Sequence, residues 1–358
     1  MKRLAIIALS AALAASCCSC SDGVSPALAA ATTTRAVTTT TQAPTTTTQP
    51  PVQHINFLTG RDEMGSDEYR PVAVMIGNND KSRPQYGIEQ ADMLIEGETE
   101  GGITRIMAVF ADASRMPDAV GPCRSARTPF VKLATALDAV YCHCGGSPGG
   151  LNTLRAANLA DIDGQIYDGS TFWRDQGLIN AKGYEYSMLT NGQKVASRIA
   201  AQGYRTAGAN HSPFVFGNKK GDKKAAGVQI YLSPAQTVSF KYDAGDGLYY
   251  KRNGTLSGGT PHTTASGDQL SAANVIILYD SSRYVEQTST WGAAIYGYEM
   301  SSGSGWLLSG GTARAIGWSR SDSGLDFTEE DGTPLTVATG RSYLCFVYSG
   351  YSQSTVIQ

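Results

Sequence analysis

The sequence predicts an α/β (α+β) N-terminal domain with a mixed sheet, followed by a mainly antiparallel β C-terminal domain. In the first part, short apolar runs such as 72–76 alternate with segments of helical spacing such as 129–137. From about residue 214, apolar and polar residues alternate with period two, as in 228–232. Glycine is frequent, at 40 of 358 residues, and only 17% of residues are charged, which suits a loop-rich exported protein.

Residues 1–17 are interpreted as a bacterial lipoprotein signal peptide. Lys2 and Arg3 form a positive n-region, and 4–15 is an apolar run of h-region length, too short to span a bilayer. Small residues then lead into Cys17, which we expect to carry lipid, such as palmitate, after cleavage. Cys20 is the alternative lipidated residue. An ordinary secretory peptide cleaved nearby is the alternative to a lipoprotein signal.

Residues 18–54 are predicted to be a disordered tether rich in threonine and proline. Almost no apolar side chains occur there, so the segment cannot bury enough surface to offset its ordering entropy. Its reach is roughly 35 Å as a coil and up to ~110 Å if extended as polyproline II. A domain on this tether, anchored at the outer face of the cytoplasmic membrane, would extend well into a cell wall.

The N-terminal domain is predicted over 55–205. Its elements, in order, are a buried strand at 72–76, two strands at 93–98 and 103–110 joined by a glycine turn, a helix at 129–137, a strand at 139–144, a helix at 151–157 and a helix within 183–204. Ser147 suits the N-cap of the 151–157 helix, and Pro148 suits its first position.

The C-terminal domain is predicted over 212–350, mainly as antiparallel sheet. Its strands are predicted at 228–232, 238–242, 248–252, 274–279, 292–300, 313–318 and 341–347. About 300 residues follow the tether, which is enough for two cores.

Charge and cysteine content limit the classes of function. Without Lys2 and Arg3 the chain has 27 basic and 31 acidic residues, which argues against nucleic acid as a partner because that binding relies on Lys and Arg at phosphates. Four cysteines lie beyond the signal region, and their pairing as disulfides is left open: Cys123, Cys142, Cys144 and Cys345. Cys142 and Cys144 would share one face of a strand and His143 the other, so no metal and no cofactor is predicted.

The main candidate site is a concentration of Glu and Arg residues between positions 96 and 127. Its members are Glu98, Glu100, Arg105, Arg124 and Arg127. They could form an ion-pair lattice that fixes loops against the sheet. They could instead line a groove for an anionic or polar ligand, since guanidinium binds carboxylate and phosphate bidentately. Glu98 and Glu100 could also act as the acid–base pair of a glycan-cleaving hydrolase, if they lie across a scissile bond.

The glycine-rich loop 145–150 is a second candidate. A strand, a glycine turn and a helix N-terminus can cradle an anion, with Ser147 as a ligand-binding residue, although a tight strand-to-helix connection explains the same residues. Nucleophilic catalysis by Ser147 or Ser125 with His143 lacks the Gly-x-Ser-x-Gly frame.

Several of these segments resemble one family. The matching segments are 70–76, 83–85, 90–92, 100–105, 121–127 and 145–147. Glu-Gly-Gly-Ile-Thr-Arg at 100–105 and Gly-Pro-Cys-Arg-Ser-Ala-Arg at 121–127 are the most distinctive. They resemble the YerB-like bacterial lipoproteins, built of two consecutive domains of unknown function, the DUF3048 pair. The resemblance covers about residues 55–350 and implies a surface lipoprotein with a two-domain body, but no reaction.

The sequence therefore favours a non-catalytic envelope lipoprotein that binds a cell-wall glycan or an envelope protein at the Glu/Arg groove. A peptidoglycan-cleaving hydrolase and a purely structural scaffold are the alternatives. Whether the five charged side chains line an open cleft distinguishes the three.

Overall fold

The structure, a computed structural model, describes residues 53–208, 212–290 and 292–358. The signal peptide predicted over 1–17, its Cys17 and nearly all of the tether predicted over 18–54 lie outside these residues. The described residues form one compact unit. No helix within the described ranges is both long and apolar enough to cross a membrane.

The described residues up to 208 alternate between strands and helices. These elements are β1 (Val72–Gly77), β2 (Met93–Glu98), β3 (Thr104–Phe110), α1 (Thr128–Ala136), β4 (Val140–His143), α2 (Pro148–Ala157), β5 (Asp161–Asp163), β6 (Phe172–Arg174), α3 (Gln176–Lys182), β7 (Met188–Thr190) and α4 (Gly192–Gln202).

The described residues from 212 onward form strands and one short 3-10 helix. The strands are β8 (Val215–Phe216), β9 (Lys223–Lys224), β10 (Gly227–Ser233), β11 (Gln236–Asp243), β12 (Leu248–Asn253), β13 (Thr260–Pro261), β14 (Ser271–Ala272), β15 (Asn274–Asp280), β16 (Tyr284–Thr288), β17 (Ala294–Gly297), β18 (Ser302–Ser309), β19 (Thr312–Ser321), β20 (Gly324–Thr328), β21 (Thr336–Val337), β22 (Ser342–Tyr348) and β23 (Val356–Ile357). The predicted fold class is confirmed.

One large sheet runs through both predicted domains. Its order is β20-β19-β18-β15-β22-β2-β3-β1-β4-β5, with β9 beside β19. Strand β2 pairs in parallel with β22, from Met93 opposite Ser342 to Gly97 opposite Phe346. Segments 55–205 and 212–350 therefore contribute neighbouring strands to a single sheet.

The large sheet is covered on both faces. Val72, Val74 and Ile76 point toward a core shared with β10 and β11 of a six-stranded sheet, whereas Ala73 and Met75 point toward a core shared with α1. Burial on both faces explains why β1 reads as a continuous apolar run rather than an alternating one.

Local signals place the predicted turns and caps. The β2–β3 hairpin turns at Gly101 and Gly102, whose φ angles are 60° and 79°, in the left-handed region that favours glycine. Helix α2 begins at Pro148, and the Ser147 side chain accepts a hydrogen bond from the backbone N–H of Gly150. Both predictions are confirmed.

The four cysteines beyond the signal region are free thiols. Cys142 and Cys144 pack against the same apolar core, and His143 stacks on Tyr141 on the other side of the sheet, as the alternation predicts. Burial raises the pKa of the Cys123 thiol well above its ordinary value, so that thiol stays protonated and packs as a small apolar group.

Candidate functional site

The parallel strands β1, β2, β4, β5, β15 and β22 end at one edge of the large sheet, here called the carboxyl edge. In open α/β sheets, ligands bind at this edge. Predicted site residues lie at this edge. Glu98 ends β2, Arg105 lies near the start of the antiparallel β3, and Ser147 follows β4. The backbone thus collects residues that are distant in sequence.

Glu100 forms a buried ion-pair lattice with two of the predicted arginines. Arg105 Nη2 lies 2.5 Å from Glu100 Oε1, and Arg127 Nε lies 2.9 Å from Oε2. Arg105 also donates to the backbone carbonyl of Ser125. All three charged side chains are buried, so the groove expected at these residues is not present there. The loop 121–127 is instead fixed against the sheet by ionic contacts.

Glu98 has a partner that the sequence did not indicate. Arg283, just after β15, donates through Nε at 2.7 Å and Nη2 at 3.0 Å to the two carboxylate oxygens. The Tyr298 hydroxyl donates to Oε2 at 3.1 Å. Glu98 is fully buried and bidentately paired, so it does not face Glu100 across a cleft.

This arrangement does not suit the hydrolase alternative. A glycosidase acid needs a carboxyl with a raised pKa that reaches the glycosidic oxygen. Burial alone would raise the pKa of Glu100, but Arg105 and Arg127 lower it to about 2. Glu98 and Glu100 are therefore structural ion-pair members.

Replacing Glu100 by glutamine is expected to destabilise the protein at neutral pH but much less in acid. Because its pKa in the folded state, about 2, lies below the ordinary value of 4.5, the ionised group contributes stability above pH 4.5 that is lost as pH falls through 2. The contribution at pH 7 is about 3 kcal/mol. Urea unfolding should show a difference between wild type and Glu100→Gln that shrinks by more than half between pH 7 and pH 3. A difference that does not change with pH would contradict the ionic role of Glu100. Glu330→Gln, at an exposed position, is the control.

Arg124 lies apart from that lattice. It donates to the backbone carbonyl of Glu185 at 2.8 Å, and its guanidinium lies 5.1 Å from the ring centroid of Tyr186. It therefore holds the segment around the short 3-10 helix Tyr184–Tyr186 rather than joining Arg105 and Arg127 in one site.

Ser147 and the glycine loop hold an internal anion. Ser147 donates to Glu286 Oε1 at 2.9 Å, and Thr128 donates to Oε2 at 2.5 Å. A Cβ placed on Gly149 would lie 2.1 Å from Glu286 Oε1. The loop therefore contacts a carboxylate, but the carboxylate comes from strand β16 of the same chain.

His143 does not serve Ser147 or Ser125 as a base. Its Nε2 lies 3.0 Å from Asp161 Oδ2, and its Nδ1 lies 2.8 Å from the carbonyl oxygen of Gly145. Both ring nitrogens are engaged and the side chain is fully buried. The histidine ties β4 to β5.

One accessible part of the carboxyl edge is a cluster of aromatic rings around Arg283, here called the tyrosine surface. The Arg283 guanidinium lies 3.5 Å from the ring centroid of Tyr296, 5.5 Å from that of Tyr348 and 5.8 Å from that of Tyr351. Tyr231 packs edge-on against Tyr351, with centroids 5.0 Å apart. All four rings are half-buried. Glu98 fixes the guanidinium from below through Nε and Nη2.

A second set of polar and charged side chains, which the sequence did not bring together, is buried between the two larger sheets. We call it the buried polar ring: Asn78, Gln85, Glu96, Lys251 and His262. Lys251 Nζ lies 3.4 Å from Glu96 Oε2 and 2.9 Å from His262 Nδ1, and His262 Nε2 lies 2.9 Å from Gln85 Oε1. Gln85 donates to Asn78 Oδ1, and Asn78 donates to Glu96 Oε1, which closes the ring.

The buried polar ring is a structural device. Burial and the Lys251 charge lower the pKa of His262 well below its ordinary value, so the imidazole is neutral. In the tautomer assigned from these contacts, Nδ1 accepts from Lys251 and Nε2–H donates to Gln85. Every member is at most 2% exposed, which leaves no surface for a substrate. Asn78 follows the predicted strand 72–76 and Gln85 lies between that strand and the next, but nothing in the sequence pairs them with Lys251.

The described residues contain no candidate metal-binding cluster. Within residues 53–208, 212–290 and 292–358, no group of three or more His, Cys, Asp or Glu side chains is placed to hold a metal ion.

Comparisons with known proteins point to one family. The model described as "Protein of unknown function (DUF3048) N-terminal domain" matches residues 58–205, and the corresponding C-terminal domain model matches residues 228–344. The protein named "Putative lipoprotein YerB" from Bacillus subtilis (strain 168) is 46% identical over 118 residues, which are 33% of this chain and about a third, 35%, of that relative. The crystal structure of YerB protein from Bacillus subtilis is 26% identical, with a TM-score of 0.70 over 84% of this chain and 98% of that chain.

Proposed function

The chain belongs to the DUF3048 family, and from this membership we propose an extracytoplasmic protein held by lipid on Cys17 at the outer face of the cytoplasmic membrane. A relative in the family is named as a lipoprotein. The n-region, apolar run and cysteine at the start of the chain support this proposal.

We further propose that the protein binds cell-wall glycan, without cleaving it, at the tyrosine surface. The observation that carries this is the Arg283 guanidinium, which lies against three half-buried tyrosine rings at the carboxyl edge, one of which packs against a fourth. Aromatic faces offer apolar contact area with a polar rim, and Arg283 retains Nη1, which has no hydrogen bond within the described part of the chain, for an acceptor on a ligand. Tyr and Arg are also the residues that dominate binding energy at recognition surfaces.

The route to this surface differs from the one expected. The predicted ligand residues support this surface from the protein interior. Glu98 fixes the Arg283 guanidinium, on which the rings pack, and Glu100 with Arg105 and Arg127 fixes the neighbouring loops. The accessible contacts come from Arg283, which follows β15, and from tyrosines that lie in β10, β17 and β22 or, for Tyr351, just after β22.

Removing two rings is expected to weaken binding to glycan. Residues 21–358 should co-sediment with insoluble peptidoglycan, and the double variant Tyr296→Ala, Tyr351→Ala should bind about thirtyfold more weakly, at about 1 kcal/mol for each aromatic contact. Tyr184→Ala, at an exposed tyrosine next to Arg174, is the matched control and should bind like wild type.

Two outcomes of this experiment would overturn the proposal. Equal binding by the double variant and wild type would exclude the tyrosine surface as the site. Soluble sugar released by the wild type would show that the protein is an enzyme.

A further inference from the structure

A polar cleft of about 600 Å³ lies at the opposite edge of the large sheet from the tyrosine surface. It opens beside Asp92, which precedes β2, and Arg341, which precedes β22. Its charged lining residues are Arg61, Glu63, Glu89, Asp92, Arg115 and Arg341. The volume falls within the range of small-molecule sites, and the lining favours a polar ligand over an apolar one.

Two of the carboxylates are already satisfied by the protein. Arg115 Nη2 lies 2.9 Å from Asp92 Oδ1 and 3.1 Å from Glu63 Oε1. Asn56 donates to both carboxylates, at 3.0 and 2.9 Å, and the backbone N–H of Ala111 donates to Asp92. Glu63, Asp92 and Arg115 therefore form the closed wall of the cleft.

The two remaining arginines have no carboxylate within 4 Å among the described residues. Arg341 donates to the backbone carbonyls of Ala91 at 2.6 Å, Ser271 at 3.1 Å and Glu89. Arg61 lies alongside, since a Cβ on Gly340 would be 3.4 Å from its Nη2. Burial lowers the pKa of Arg341. The charges of Asp92 and Glu89 oppose this shift, and the charge of Arg61 lowers the pKa of Arg341 further. Two neighbouring guanidinium groups thus share the cleft without a direct ion pair to any described carboxylate.

Glu89 adds a carboxylate acceptor to the lining of the same cleft. Its Oε2 is buried and has no hydrogen-bond partner among the described residues. A buried acceptor without a donor costs free energy, so rotation of this cleft-lining carboxylate toward a ligand group that donates to it would be stabilising.

We propose that this cleft binds a small zwitterion, an amino acid or short peptide, with its carboxylate on Arg61 and Arg341 and its ammonium on Glu89. Guanidinium groups recognise carboxylates through paired N–H donors, and an ammonium supplies up to three donors to a carboxylate. The site is separate from the tyrosine surface and does not depend on glycan binding.

Calorimetric titration of residues 21–358 with the dipeptide alanyl-alanine tests this proposal. We expect saturable binding that is weakened at least tenfold by N-acetylation of the peptide and, independently, by amidation of its C-terminus, because each change removes one charge. Arg61→Ala and Glu89→Gln should weaken binding of the free dipeptide to the same extent. Arg61 is exposed and makes no side-chain hydrogen bond with described residues, so its variant is expected to fold normally.

Matched controls remove the same side chains elsewhere on the surface. Arg155→Ala and Glu330→Gln, both at exposed positions, should bind the dipeptide like wild type. Absence of binding by the wild type would overturn the proposal, as would binding that is unchanged by acetylation or by amidation.

Discussion

Replacing Lys251 by methionine is expected to lower the free energy of unfolding by about 3–5 kcal/mol, because it leaves the buried carboxylate of Glu96 without its cation. Lys251 and Glu96 are both fully buried, and their charged atoms are 3.4 Å apart. Burial lowers the pKa of Lys251, and the nearby Glu96 opposes this shift. Chemical denaturation at pH 7 measures the loss.

Lys241→Met is the matched control for this change. Lys241 lies on the neighbouring strand β11 and is exposed, so its removal should change stability by less than about 0.5 kcal/mol. The double variant Lys251→Met, Glu96→Gln should recover part of the loss, since it removes both charges. If Lys251→Met costs no more than Lys241→Met, the buried polar ring does not hold the two sheets together.

A methyl group at Gly97 is expected to destabilise the protein by about 1–3 kcal/mol or more through overpacking. Gly97 lies opposite Phe346 where β2 and β22 pair, and a Cβ there would approach the Phe346 ring to within 2.0 Å. The ring cannot easily retreat, because it packs against Phe130 and Tyr298 at centroid distances of 5.1 and 5.3 Å. Thermal unfolding of Gly97→Ala measures the effect.

Gly65→Ala provides the comparison, because nothing lies within 4 Å of a Cβ at Gly65 and its backbone is not in the left-handed region. That variant should unfold near the wild-type temperature. A Gly97→Ala protein as stable as Gly65→Ala would show that the β2–β22 junction is more plastic than the packing indicates.

The elements themselves could be predicted from local sequence. Ser147 and Pro148 define the start of α2 through a cap and a preset φ angle, and Gly101 with Gly102 defines the β2–β3 turn. The apolar run of β1 indicated a strand buried on both faces. These features depend on a few consecutive residues, so a single sequence contains the information.

The ion-pair partners were decided by the tertiary structure. Two residues distant in sequence meet only if the strands that carry them pair, and the chain between them closes as a loop. Alternation along a strand predicts only which face of the sheet a side chain lies on. Glu98 was a plausible groove residue until β15 and β22 brought Arg283 and the tyrosines to the same edge. Lys251 reads as an ordinary residue of an alternating strand, although it is fully buried beside Glu96.

The sequence by itself therefore determined the fold class, the Ser147 cap, the turn at Gly101 and Gly102, and the family to which the chain belongs, but it did not indicate strands such as β18 and β20. Only the tertiary structure decided which charges are neutralised and which remain available at a surface. The physical reason is that a charge's role depends on its partners and its exposure to water, both of which are set by contacts between strands far apart in the chain.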